Sequence, residues 1–308
     1  MNRCASLICL WVLVWLSGCA VQTAALQARP PIGLPHSAEL TAVPFFAQTE
    51  YRCGPAALAT ALGAVGIAAA PAALADEVFL PARGGSLQAE MLGGARRHGA
   101  VATRIPGTLE AVLREVAAGH AVVVLQNLGL GLAPLWHYAV VVGYDLDAGD
   151  VLMRSGSTQR ESMILRTFEH TWARSGFWAF TALPPGEWPM TAQADAVVEA
   201  AVGFERSATP VQALRAYESA LQRWPENLTL AIGLGNTAYA SGDKRRAADV
   251  FRAAAERHDS GAAWVNLATV LEELGERNAA IDAAQRAVGD PNWSARANEI
   301  LAQPTMRP

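Results

Sequence analysis

The sequence predicts an α+β domain followed by an all-α repeat region, divided by a proline-rich boundary. Three observations carry this. Between residues 43 and 183, stretches of helical periodicity come first and runs rich in valine and aromatic residues follow. Pro184, Pro185, Gly186 and Pro189 then punctuate the chain. Beyond them alanine, leucine, arginine and glutamate dominate, with no strand-like run. A length of 308 residues with 52% hydrophobic side chains fits about two domains with real cores and excludes wholesale disorder. A formal net charge of -4, from 24 basic and 28 acidic residues, leaves no electrostatic footprint for a nucleic-acid partner.

Taken from the amino terminus, the first element reads as an address. Arg3 precedes an apolar run over residues 7–16, too short to span a bilayer, and the run ends in Leu16, Ser17, Gly18, Cys19. Small residues just before a cysteine resemble the lipobox of bacterial lipoproteins. The resemblance implies removal of residues 1–18 as a signal peptide and acylation of Cys19. Several acyl chains on one residue anchor stably where a single chain is marginal. Ala20 stands where an aspartate would resemble an inner-membrane retention signal, so the expected location is the cell envelope, at the outer membrane facing the periplasm. Residues 19–42, with Pro30, Pro31, Gly33 and Pro35, read as a tether that holds the body off the membrane. Cys4, Cys9 and Cys19 all precede residue 20 and Cys53 stands alone, which rules out a disulfide framework.

Within the α+β domain, residues 43–185, helices are expected over residues 56–65, 86–98 and 108–118. Strands are expected over 121–126, 137–144, 151–155 and 177–183, each bounded by Gly, Asp or Pro, as an antiparallel sheet. Residues 186–194 read as a linker. Past it, Ala213, Ala247 and Ala280 recur at spacings of 34 and 33, each followed four residues later by Tyr217, Phe251 or Ala284. That period, with Leu234 and Gly235 in the middle unit and Trp264 and Leu267 in the third, resembles tetratricopeptide repeats. Three such repeats over residues 195–292 would stack helical hairpins into a concave surface suited to a protein partner or substrate. Residues 293–308 supply a capping helix and tail.

The chemistry points to Cys53. It opens Cys53-Gly54-Pro55-Ala56-Ala57-Leu58, and a proline just inside a helix start places the sulfur at a helix amino terminus. Unpaired N–H groups and the positive end of the dipole there favour thiolate. Gln48, five residues upstream, carries an amide able to join the Cys53 N–H as an oxyanion donor. His137 opens the most strand-like run of the chain and is a candidate general base and acid.

Together, Gln48, the Cys-Gly-Pro-Ala-Ala-Leu segment and the His137 strand about eighty residues later resemble the papain-like peptidases that process bacteriocin precursors at double-glycine leaders. The resemblance implies a papain-like α+β fold, Cys53 as nucleophile, His137 as base and acid, and Gln48 as oxyanion donor. The setting departs from the exporters that carry such domains, since there is no phosphate-binding G-x-x-x-x-G-K-[ST] motif and no transmembrane bundle. In the family an aspartate or asparagine about sixteen residues after the histidine orients it. That count lands on Met153, and among Met153, Arg154 and Ser155 only Ser155 can accept a bond from a ring N–H. Ser155, or a backbone carbonyl, is therefore the expected orienter. Asp145, Asp147 and Asp150 lie near the far turn of the hairpin, and Glu161 follows a loop.

The expected function is a lipid-anchored extracytoplasmic cysteine peptidase acting through a thioester. Two alternatives stand beside it: an inactive peptidase-fold scaffold, and an acyl transferase using the same thioester. No cofactor or metal is expected, because His36, His98, His120, His170 and His258 are scattered without a ligand spacing.

Overall fold

The computed structural model describes residues 20–47 and 52–303. Cys19 and Gln48, and with them the expected signal peptide and one expected oxyanion donor, lie outside the described residues.

Seven strands form one antiparallel sheet: β1 (Ser37–Glu39), β2 (Val101–Arg104), β3 (Val122–Asn127), β4 (Trp136–Asp145), β5 (Asp150–Ser155), β6 (Thr158–Ile164) and β7 (Ala179–Leu183). Their order is β2-β7-β3-β4-β5-β6, and β1 pairs with the far half of β4. Helices cover both faces. On one side, α2 (Cys53–Ala64), α3 (Pro71–Val78) and α4 (Gln88–Arg97) pack Leu58, Leu62 and Met91 on Val123, Val140 and Phe180. On the other, α1 (Val21–Ala28), α5 (Leu109–Ala117) and α6 (Leu165–Ala173) pack Val112, Phe168 and Trp172 on Val122, Ala139 and Val141. Burial on both faces is why β3 and β4 read as continuous valine runs and not as an alternation. Each fully buried Leu, Val or Phe on these faces contributes about 1.5–3 kcal/mol by leaving water.

Local chemistry sets the helix starts. Thr108 Oγ1 accepts from Ala111 N at 3.1 Å and caps α5, while Pro71 occupies the first turn of α3. The α3 and α6 helices and the β1, β2 and β6 strands were not expected from the sequence. β2 has four residues and β6 alternates exposed and half-buried side chains, so neither carries a strong apolar pattern. Residues 20–42 also differ from the expected free tether. They form α1 and β1, and Glu169 accepts from Gln22 N, Thr23 N and Thr23 Oγ1 at 2.7–2.9 Å, with Thr23 and Leu26 buried. The prolines and glycine there shape a connection that packs along the body.

The carboxyl-terminal region is helix-rich: α7 (Ala194–Glu205), α8 (Pro210–Arg223), α9 (Leu228–Ala240), α10 (Lys244–His258), α11 (Gly261–Glu273), α12 (Arg277–Ala287) and α13 (Ser294–Ala302). The alanines at 213, 247 and 280 are all buried, as expected for small residues where successive helices press together. Gly235 makes the same point, since a Cβ there would strike the Phe251 ring. Among the described residues no helix is long and apolar enough to cross a membrane.

The expected linker at 186–194 is itself bonded down. Buried Glu115 of α5 accepts from Met190 N, Thr191 N and Thr191 Oγ1 at 2.5–3.1 Å and pairs with His120 Nδ1 at 2.7 Å. Arg223 donates to the carbonyls of Pro189 and Met190. α7 then covers the edge strand β2, where Val101 packs with Ala200, Phe204 and Ala216 in a small shared core. The helical region therefore closes an edge of the sheet that would otherwise stand open.

Candidate active site

Cys53 is the first residue of α2 and is half-buried. Gly54 behind it is required by close approach, because a Cβ would collide with Ser86 Oγ and the Met91 sulfur would crowd it. Tyr138, the second residue of the His137 run, locks the same corner: its hydroxyl donates to Ser86 O at 3.2 Å and its ring packs edge-on against Trp178.

The sulfur faces the backbone N–H groups of Tyr138, Gly54 and Cys53 itself. The thiol consequently lies against β4 one residue beyond His137. Burial pushes the Cys53 thiol up, and these three N–H groups only partly offset it. This corrects the expectation of a thiolate-biased cysteine: the helix terminus is there, but desolvation outweighs it.

His137 is half-buried at the start of β4, directly opposite Gln126 of β3. Its Nε2 lies 2.9 Å from Ser155 Oγ, at the end of β5. Burial pushes the imidazole pKa down, and the carboxylate of Glu161 pulls it back up in part. Glu161 stands on β6 opposite Met153, not beyond a loop, which brings its charge to bear on the ring. That contribution had no signal in sequence spacing, since it depends on β6 folding back along β5. Arg154, which the spacing also nominated, is buried and turned elsewhere, donating to the carbonyls of Val43 and Gln159. Met153 is buried in the sheet core.

The structure thus places His137 and Ser155 in contact and Cys53 against the adjoining residue of the same strand. In the tautomer whose Nε2–H donates to Ser155, Nδ1 is the basic nitrogen. No hydrogen bond joins Cys53 to His137 among the described residues; the helix-start thiol and the imidazole at one end of the sheet are the kinds of group that nucleophilic attack on a carbonyl uses.

Comparison with known proteins bears on the fold of the body. Residues 40–180 match the model of the Peptidase_C39 like family. The body is a remote C39-like peptidase-fold domain. The match spans under half of the chain and includes Cys53, His137 and Ser155. No curated protein matches. Among solved structures, a candidate C39-like peptidase from Bacillus anthracis aligns at 19% identity and a TM-score of 0.40, covering 48% of this chain and 98% of that one. A thermophilic TPR protein of Thermus thermophilus aligns at 20% identity and a TM-score of 0.30, over 36% of this chain and 63% of that one. A MamA variant also aligns, at 19% identity and 0.31, over 36% and 64%.

Proposed function

We propose that the protein is a lipid-anchored, extracytoplasmic cysteine peptidase. The observation that carries this reading is the contact of His137 Nε2 with Ser155 Oγ at 2.9 Å, beside a cysteine at a helix start. In the tautomer that donates from Nε2, Nδ1 is the nitrogen that takes the thiol proton.

Because burial pushes the thiol up and the imidazole down, the resting pair is neutral, and proton transfer accompanies attack. The Cys53 sulfur bonds to the substrate carbonyl carbon while its proton passes to His137 Nδ1. The Cys53 N–H and the Gln48 amide hold the oxyanion. Nδ1–H then protonates the departing amine as the C–N bond breaks, leaving a thioester. Water attacks the thioester and gives its proton to Nδ1, the C–S bond breaks, and the thiol recovers its proton. In this reading Cys19 carries the lipid, and three tetratricopeptide repeats in the helical region hold a protein partner or the substrate.

A second reading, a peptidase-fold scaffold without turnover, draws on the same electrostatics: a raised thiol oriented through a neutral hydroxyl is a weak pair. Acyl transfer to an amine would use the same thioester. One experiment separates them. The full-length protein is incubated with peptide thioesters and examined by intact mass. Acyl addition to Cys53, lost in Cys53→Ala and slowed in His137→Ala, is the expected result. Release of free acid or of an amide then distinguishes hydrolysis from transfer. No adduct under any condition leaves only the scaffold.

A further inference from the structure

The β3–β4 connection reads Leu128-Gly129-Leu130-Gly131-Leu132-Ala133-Pro134-Leu135 and runs into Trp136. Its large side chains face solvent: Leu130 is 70% exposed, Leu132 fully, Leu135 59% and Trp136 50%. The segment is nonetheless firmly built. Leu128 N donates to Leu135 O at 2.9 Å, and Leu130 and Ala133 exchange both backbone bonds at 3.1 Å. Asn127 Oδ1 accepts from Gly129 N and Leu135 N, and Arg174 Nη1 donates to the carbonyls of Asn127 and Gly129. A braced hairpin thus holds apolar side chains in water, with no charged residue from 127 to 136. Contiguous exposed apolar surface of this kind marks an interaction site.

Strand register locates it. Asn127 pairs with Trp136, Val124 with Ala179 and Arg104 with Phe180, so the hairpin, the end of β2 and the start of β7 share one end of the sheet. The described chain starts at that end too. Gln22 Nε2 donates to Gly107 O, just past β2, and Gln22 Oε1 accepts from Leu109 N at the start of α5. Only two residues separate Gln22 from Cys19, and the apolar run 7–16 precedes them. Gln22's bonds thus put the start of the described chain at the hairpin's end of the sheet.

We propose that the leucine hairpin is a membrane-seating loop that inserts Leu130 and Leu132 into the acyl-chain boundary of a lipid bilayer. The inference rests on the membrane attachment in the proposed function. It turns that attachment into an orientation: the body lies against the bilayer with the Cys53–His137 end at the lipid surface. A bilayer suits the surface because Trp136 sits between leucine tip and folded body, where aromatic rings occupy the headgroup level. The exposed Arg104 and Arg174 at the same end complement anionic headgroups.

The test uses full-length protein reconstituted into phosphatidylcholine and phosphatidylglycerol vesicles with brominated acyl chains. Tryptophan quenching is compared among the parent, Trp136→Phe and Leu130→Asp/Leu132→Asp. The parent should be quenched and both variants should lose most of that quenching, with equal protein floating with the vesicles. Equal quenching in all three overturns the proposal while leaving the anchor intact. A concentration-dependent dimer abolished by the aspartates also overturns it, by making the hairpin a self-interface. If mass spectrometry finds no acyl group on Cys19 and the parent is recovered soluble, the anchoring reading fails separately. Flotation of that soluble protein then decides the hairpin: binding about tenfold weaker in the aspartate variant supports insertion, and no binding by the parent overturns it.

Discussion

His137 Nε2 and Ser155 Oγ stand 2.9 Å apart across the β4–β5 pair, so the ring is oriented by a neutral hydroxyl. A carboxylate in that position would stabilise the imidazolium; a hydroxyl, which can donate or accept, holds the ring's orientation and does little for the charge. Ser155→Ala should lower the rate of Cys53 acylation by about 3- to 10-fold, the worth of one neutral hydrogen bond. Ser155→Asp should raise it, and should shift the low-pH limb of the rate profile upward by making the imidazole more basic. Acylation unchanged in Ser155→Ala would show that the contact does not orient the ring.

The pH dependence of thiol reactivity follows from burial. With Cys53 pushed up, alkylation by iodoacetamide should still be climbing above pH 8.5, the ordinary midpoint for a cysteine. A plateau reached below neutrality would instead indicate a preformed thiolate–imidazolium pair and contradict the neutral resting state.

In the proposed mechanism Gln48 donates to the oxyanion, so Gln48→Ala should leave that alkylation profile in place and slow turnover on the order of 10²-fold. Stopped-flow acylation and alkylation measured on the same preparation separate the two effects. Equal turnover would remove Gln48 from the oxyanion site.

The Glu115 clasp makes the seam between body and helical region sensitive to acid. Burial pushes the Glu115 carboxyl up, but the bonds from His120 and Thr191 together outweigh it and hold the pKa below the usual range. Its stabilisation is therefore present above the unfolded-state value of about 4.3 and is lost as pH falls through the lower folded value. Glu115→Gln should cost about 1–3 kcal/mol near neutrality and flatten the acid limb of stability, as read by urea unfolding across pH. An unchanged acid limb would mean that other carboxylates govern it.

Phe204→Ala should destabilise by about 3–5 kcal/mol, because the ring is fully buried against the edge strand. Ending the chain after Pro189 should be worse still, exposing Val101 and leaving Glu115 without its Thr191 donors. If the shortened body unfolds at the same temperature as the full chain, the helices are an appendage and not a cover.

Much of the candidate site was legible in the amino-acid order because it depends on local chemistry. Proline after Cys53-Gly54 starts a helix wherever the segment goes, and the run from His137 to Tyr144 is too rich in valine to be anything but a buried strand. The same holds for the change of composition after Pro189 and the buried alanines at 213, 247 and 280. Short or weakly patterned elements were not legible: β2, β6 and α1 are held by their neighbours.

What only the tertiary structure decided are the quantities that depend on distance and burial between segments remote in sequence. The helix start favours thiolate, yet the thiol is raised, because packing of α2 against β4 removes the sulfur from water. Glu161 reaches His137 only because β6 returns along β5. Residues 20–42 look like a tether in one dimension and are docked in three, since Glu169, 146 positions from Thr23, supplies the acceptor that Thr23 requires. Local propensity is written in neighbouring residues, whereas desolvation and charge act through space and need the fold before they have a value.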